Sequence, residues 1–118
     1  MKKYKLSGSV SDMKIKEYNK LVRDKIPEII KKSGKQIVVT KASGDQLLSF
    51  LKQKLKEELE EYSQSGDIEE LADLVEVIYA ILEHKGISQE EFHKVRQEKN
   101  DRRGAFKEGL VLKRIIEE

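Results

Sequence analysis

An all-α fold, built as an antiparallel helical bundle and completed by oligomerisation, is the class this sequence predicts, on three observations. Charged residues make up 39% of the 118-residue chain and aromatics 6%, with no tryptophan and a single proline, Pro27. Such a composition suits helices with solvated faces better than a sandwich or barrel. Three stretches begin with the spacing of a helix-capping box, Ser43 with Gln46, Asp67 with Glu70 and Ser88 with Glu91. Between them, apolar residues recur at helical rather than strand spacing.

The elements follow in order. Residues 1–13 carry lysines and a Ser-Gly-Ser-Val-Ser-Asp run but no apolar stretch, so they read as a flexible tail rather than a secretory signal. Met13 is an alternative natural start, and residues 14–118 are taken as one domain. Leu21 to Lys32 has Leu21, Val22, Ile26, Ile29 and Ile30 at helical spacing, which predicts a short helix begun or interrupted near Pro27 and ended by Gly34. Residues 36–40, Gln-Ile-Val-Val-Thr, are β-branched, and a short extended segment or edge strand is expected there. Helices are then expected over roughly 44–64, 68–85 and 89–102, joined by Ser65-Gly66 and Gly86-Ile87. Joints that short turn successive helices back on one another. Gly104 and Gly109 bracket a final loop, and Leu110 to Ile116 is apolar enough to dock on the bundle.

The placement of carboxylates carries the functional reading. On the first long helix Leu47, Leu48, Leu51, Leu55, Leu59 and Tyr62 define the buried stripe. A rotation of ~100° per residue sets Glu58 inside that stripe, with Glu61 and Lys54 at its border and Glu57 farther round. A charged side chain on a core-facing stripe is costly unless something pairs with it. On the next helix, Ile68, Leu71, Ala72, Leu74, Val75, Val77, Ile78, Tyr79, Ile81 and Leu82 cover over half the circumference. So broad an apolar surface needs neighbours on more than one side, which argues for a homodimer or homotetramer.

About a hairpin turn at Ser65-Gly66, Glu61 and Glu70 lie equally far from the turn, as do Glu58 and Asp73. Each helix therefore presents two acids one turn apart, and the four converge. Like charges so close cannot all stay ionised without a counter-charge. A hard cation, Mg²⁺ with Mn²⁺ as alternative, suits carboxylates and water better than zinc does. The ordinary reading of any one ExxE pair is solvated helix surface, and Glu70 has a competing role as the third residue of the Asp67 capping box. The combination outweighs the parts, because Glu58 breaks the apolar pattern and the pairs converge by symmetry about the turn.

Charge totals and missing motifs exclude other classes. A formal net charge of +2 is too small for an expected nucleic-acid polymer partner. No apolar run approaches the ~18 residues of a membrane span. Cysteine is absent, which removes disulfides and thiolate metal sites and fits a reducing, cytoplasmic setting. His84 and His93 lack metal-ligand spacing, and the chain has no P-loop and no GxGxxG. The stretch from Glu57 to Glu76 is acidic while its flanks are basic, an arrangement suited to bringing a metal and a polyphosphate together. Lys54, Lys20, Arg23, Lys25, Lys99, Arg102 and Arg103 are the candidate phosphate contacts, each with solvated surface as the plain alternative. For Lys54 that alternative is an ion pair with Glu58 or Glu61, and for Arg23 one with Asp24.

Glu57-Glu58-Leu59-Glu60-Glu61 followed by Glu70-Leu71-Ala72-Asp73 resembles the EExxE and ExxD signature of the all-α NTP pyrophosphatase superfamily, the MazG-like proteins. Residues 18–27, Tyr-Asn-Lys-Leu-Val-Arg-Asp-Lys-Ile-Pro, look like the opening of its phosphoribosyl-ATP pyrophosphohydrolase-like branch. Lys99 through Leu112, with Arg103-Gly104-Ala105-Phe106, looks like that branch's closing segment. The likeness spans most of Lys14 to Leu112. One departure is a hairpin of only eight residues between Glu61 and Glu70, shorter than in typical MazG proteins, so the pocket opening is expected to differ.

The resemblance implies a MazG-like bundle and Mg²⁺-dependent hydrolysis of the α–β phosphoanhydride of a nucleotide, releasing pyrophosphate. It implies Glu58, Glu61, Glu70 and Asp73 as metal ligands, with Glu57 and Glu58 in the catalytic set and Glu57 as ligand or water-orienting base. The alternative class is a non-catalytic helical module that binds a nucleotide or a protein, its acids serving solubility and capping.

Overall fold

The computed structural model describes residues 14–118, so the tail expected over residues 1–13 lies outside the described residues. Four helices and no strand are found among them: α1 (Ile26–Lys32), α2 (Gly44–Ser65), α3 (Ile68–His84) and α4 (Gln89–Arg103). The chain divides into two compact units, one ending at Ala42 and one comprising Ser43–Glu118.

In the first unit, Pro27 stands in the opening turn of α1, where its missing N–H has no helical partner to lose. The helix therefore begins at the proline rather than being interrupted by it. It closes at Ser33, whose hydroxyl donates to the Ile30 carbonyl at 2.6 Å. The β-branched run over residues 36–40 has no strand partner among the described residues, and Val38 stays 94% exposed. Side-chain branching favours extended backbone, but a strand also needs a neighbouring ladder. The expected edge strand is thus corrected to an unpaired segment.

In the second unit, α2 and α3 pack along one another as a hairpin. Its turn is made by Gly66, whose left-handed φ of 68° ends α2 while its N–H donates to the Tyr62 carbonyl at 2.8 Å. A side chain there would strain the backbone, which explains glycine at this position. Leu51, Val77 and Leu82 are the buried apolar residues of the described chain. Among the described residues α4 touches α3 but not α2.

The three expected capping boxes do not behave alike. Ser88 Oγ accepts from the Glu91 N–H at 3.1 Å, as the spacing predicts, while the Glu91 carboxylate accepts from the Ser88 hydroxyl rather than from its backbone N–H. Ser43 and Asp67 make no side-chain cap bond. At α3 the reciprocal half of the box is also missing, because the Asp67 N–H that Glu70 should reach already donates to Ser65 Oγ at 3.1 Å. This leaves the Glu70 side chain for other partners.

The expected docking of Leu110 to Ile116 is corrected as well. These residues lie outside any helix, with Leu110, Val111, Leu112, Ile115 and Ile116 all 72–85% exposed. Leu110, Val111 and Leu112 are contiguous and followed by Lys113 and Arg114 before Ile115 and Ile116. Composition shows that a segment favours burial; it does not show against what.

Candidate metal centre

The α2–α3 hairpin brings Glu58 together with Glu70 and Asp73, whereas Glu61, expected opposite Glu70, groups instead with Glu57 and Glu58. Glu58 faces α3 with only 5% of its surface exposed, the single buried charged residue among those described. Glu70 and Asp73 approach it from α3, both half-buried. Glu57 is half-buried and Glu61 exposed.

These carboxylates form two triads that share Glu58. One comprises Glu57, Glu58 and Glu61, the other Glu58, Glu70 and Asp73, and within each the nearest oxygens all lie within 4.8 Å of one another. In an octahedral Mg²⁺ shell, oxygens on opposite sides of the ion are about 4 Å apart. The triads therefore need only small side-chain adjustments to enclose such an ion. The donor set is entirely carboxylate oxygen, which suits a hard cation better than zinc.

An independent observation points inward. Glu58 Oε2 and Glu70 Oε2 are both buried and have no hydrogen-bond partner. Buried polar atoms are nearly always satisfied, so two orphaned carboxylate oxygens within one cluster mark a place for a hydrogen-bond donor or a cation. A divalent cation coordinated by water fits that place.

Electrostatics describe the same strain. Burial pushes the Glu58 carboxyl above its ordinary 4.5, and the Glu61 carboxylate adds to this by hydrogen bonding and by charge repulsion. The Lys54 ammonium pulls in the opposite direction, and Asp73 adds a further upward push. Lys54 Nζ lies 3.3 Å from Glu57 Oε2 and 3.4 Å from Glu58 Oε1. The expected pairing with Glu58 is therefore present, whereas the alternative with Glu61 is replaced by Glu57. Helix geometry explains the difference, since Glu57 and Glu58 lie one turn beyond Lys54 and Glu61 lies two.

On α4 the other predicted basic contacts of the second unit stand away from α2. Lys99, Arg102 and Arg103 are exposed on α4, which does not touch α2. Lys20, Arg23 and Lys25 are exposed in the unit that ends at Ala42. Both histidines stand apart from the carboxylate triads, with His84 in the last turn of α3 and His93 exposed on α4.

Comparisons with protein-family models, with curated proteins and with solved structures return no match for this chain. The functional reading therefore stands on the residues and on the geometry of the hairpin. Among the described residues no helix is long and apolar enough to cross a membrane.

Proposed function

We propose that this protein is a Mg²⁺-dependent nucleotide pyrophosphohydrolase of the MazG-like, all-α NTP pyrophosphatase kind, with its catalytic floor on the α2–α3 hairpin. The observation that carries the reading is Glu58, a buried carboxylate with an orphaned oxygen at the junction of two acidic triads. An acid at that position makes the metal-free hairpin less stable than an apolar residue would, and cation binding gives it a role. The EExxE and ExxD order, with both flanking segments, supplies the link to nucleotide chemistry.

In this reading Glu58, Glu61, Glu70 and Asp73 hold the ion, and Glu57 either joins them or orients the attacking water. The ion supplies charge neutralisation at the phosphate oxygens and lowers the pKa of bound water. Phosphoryl transfer demands positioning and electrostatics more than covalent participation, so a rigid pair of helices carrying acids is a sufficient scaffold. Glu57 stands close enough to the shared ligand Glu58 to accept a proton from water at that site. Exposed Lys99, Arg102 and Arg103 remain the candidate phosphate contacts on α4, and Arg23 the candidate in the first unit. The lack of cysteine suits a cytoplasmic setting.

The deciding experiment is pyrophosphate release from canonical and modified nucleoside triphosphates, with Mg²⁺ and then with EDTA. Release that requires the metal supports the enzyme and ranks its substrates. Silence across the panel from folded protein favours the non-catalytic nucleotide- or protein-binding module.

A homo-oligomer belongs to the same reading. Ile68, Leu71 and Val75 recur at helical spacing on the side of α3 turned away from Glu70 and Val77, and they are 79%, 39% and 43% exposed. Leu59 on α2 is 55% exposed. A second copy covering this row would complete the bundle that three buried apolar residues only begin. Replacing Leu71 or Val75 by Asp is expected to convert the assembly to a monomer in light scattering. An unchanged mass for both variants would remove this row from the interface.

A further inference from the structure

The Glu57–Glu58–Glu61 triad already holds a cation belonging to the chain. Lys54 rises from one turn earlier on α2 and contacts two of the three acids, Glu57 at 3.3 Å and Glu58 at 3.4 Å. Its side chain is 16% exposed, so this ammonium is largely withdrawn from water and committed to the cluster. Both contacts are long. A charge-assisted N–H···O bond at its best is about 2.7–2.9 Å, so the lysine neutralises the triad without binding it tightly. It also leaves Glu58 Oε2 and Glu70 Oε2 unpartnered.

We propose that Lys54 is an internal stand-in for the divalent cation, holding Glu57 and Glu58 in the metal-free protein and being displaced from them when the metal binds. The proposal rests on the metal-centre reading above and adds to it a competitor built into the sequence. Three physical points support it. An ammonium and a divalent ion held by the same carboxylate groups repel one another strongly at such short range. Lysine is a single flexible point charge with three donors, which makes its pairing easy to exchange, unlike the planar fork of arginine. The i,i+3 and i,i+4 spacing lets one lysine straddle two acids without altering the helix.

The consequence is a metal affinity held below what the carboxylates alone would give. Metal entry frees an ammonium beside the site, and a polyphosphate is the chemistry that would then receive it. Metal and polyphosphate thereby favour each other's binding, since the metal frees Lys54 for the phosphate and the phosphate holds Lys54 away from the carboxylates.

The test is Mn²⁺ binding to full-length protein at pH 8, read from the paramagnetic signal of the free ion. Wild type, Lys54→Met and Lys54→Arg are compared, with helicity checked by circular dichroism. The Met variant should bind about tenfold more tightly than wild type, and the Arg variant more weakly, because its fork grips two carboxylates better. Equal or weaker binding by a folded Met variant overturns the proposal and leaves the metal centre standing. Should the Met variant not fold, the Arg variant decides alone: weaker binding than wild type supports displacement, and unchanged or tighter binding rejects it. If wild type itself binds no Mn²⁺, the metal-centre reading and this proposal fall together.

Discussion

Glu58→Gln is expected to reduce metal-dependent pyrophosphate release by about 10²–10³-fold, the scale of losing one electrostatic contact at a reacting centre, while leaving the hairpin folded. Glutamine keeps the shape of the side chain and removes only its charge. Glu58 belongs to both triads, so no other single substitution weakens both. The same variant should unfold at a temperature no lower than metal-free wild type at pH 8. Burial and the Glu61 carboxylate already push Glu58 towards its protonated form, and the carboxamide resembles that form. Reduced turnover with a lower melting temperature would indicate a structural role instead. Full activity in the variant would falsify the site assignment outright.

Saturating metal should stabilise the protein strongly at pH 8 and much less near pH 5. Free metal at a hundred times its dissociation constant adds about 2.7 kcal/mol, which moves the midpoint of a domain this small by roughly 10 °C or more. The pH dependence follows from Glu58. Its carboxyl titrates above 4.5 in the folded chain, against about 4.5 when unfolded. Between those two values the folded state binds more protons, so metal-free stability falls as pH rises through this window. This contribution is fully present below about pH 4.5 and lost once pH exceeds the raised folded value. Metal binding requires the ionised carboxylates and therefore has the opposite slope. Calorimetry at pH 5 and pH 8, with and without Mg²⁺, separates the two. A metal effect of equal size at both pH values would contradict Glu58 as a ligand.

The legibility of the site differs residue by residue. Glu58 stood out because a charge interrupted an apolar stripe, and in the structure it is the buried one. Its convergence with Glu70 and Asp73 was readable because a two-helix turn at Ser65-Gly66 pairs positions equidistant from it. The sequence puts Lys54 on the correct face and pairs it with Glu58 or Glu61, where the structure pairs it with Glu58 and Glu57. The choice among Glu57, Glu58 and Glu61 depends on side-chain reach along one helix rather than on which face it presents. The capping role weighed for Glu70 disappeared for a reason no spacing rule contains, the prior claim of Ser65 Oγ on the Asp67 N–H.

By itself, the sequence determined the helices of the second unit, their turn and the acids on their facing sides. Those features arise from short-range regularities: apolar period, glycine at a left-handed turn, and charge within an apolar stripe. Tertiary structure alone decided that residues 36–40 lack a strand partner, that Leu110 to Ile116 is uncovered, and that α4 keeps its basic residues away from α2. The physical reason is common to all three. An apolar or β-branched segment records a tendency to be buried or paired, but the partner is chosen by distant parts of the chain whose contacts depend on how whole elements pack.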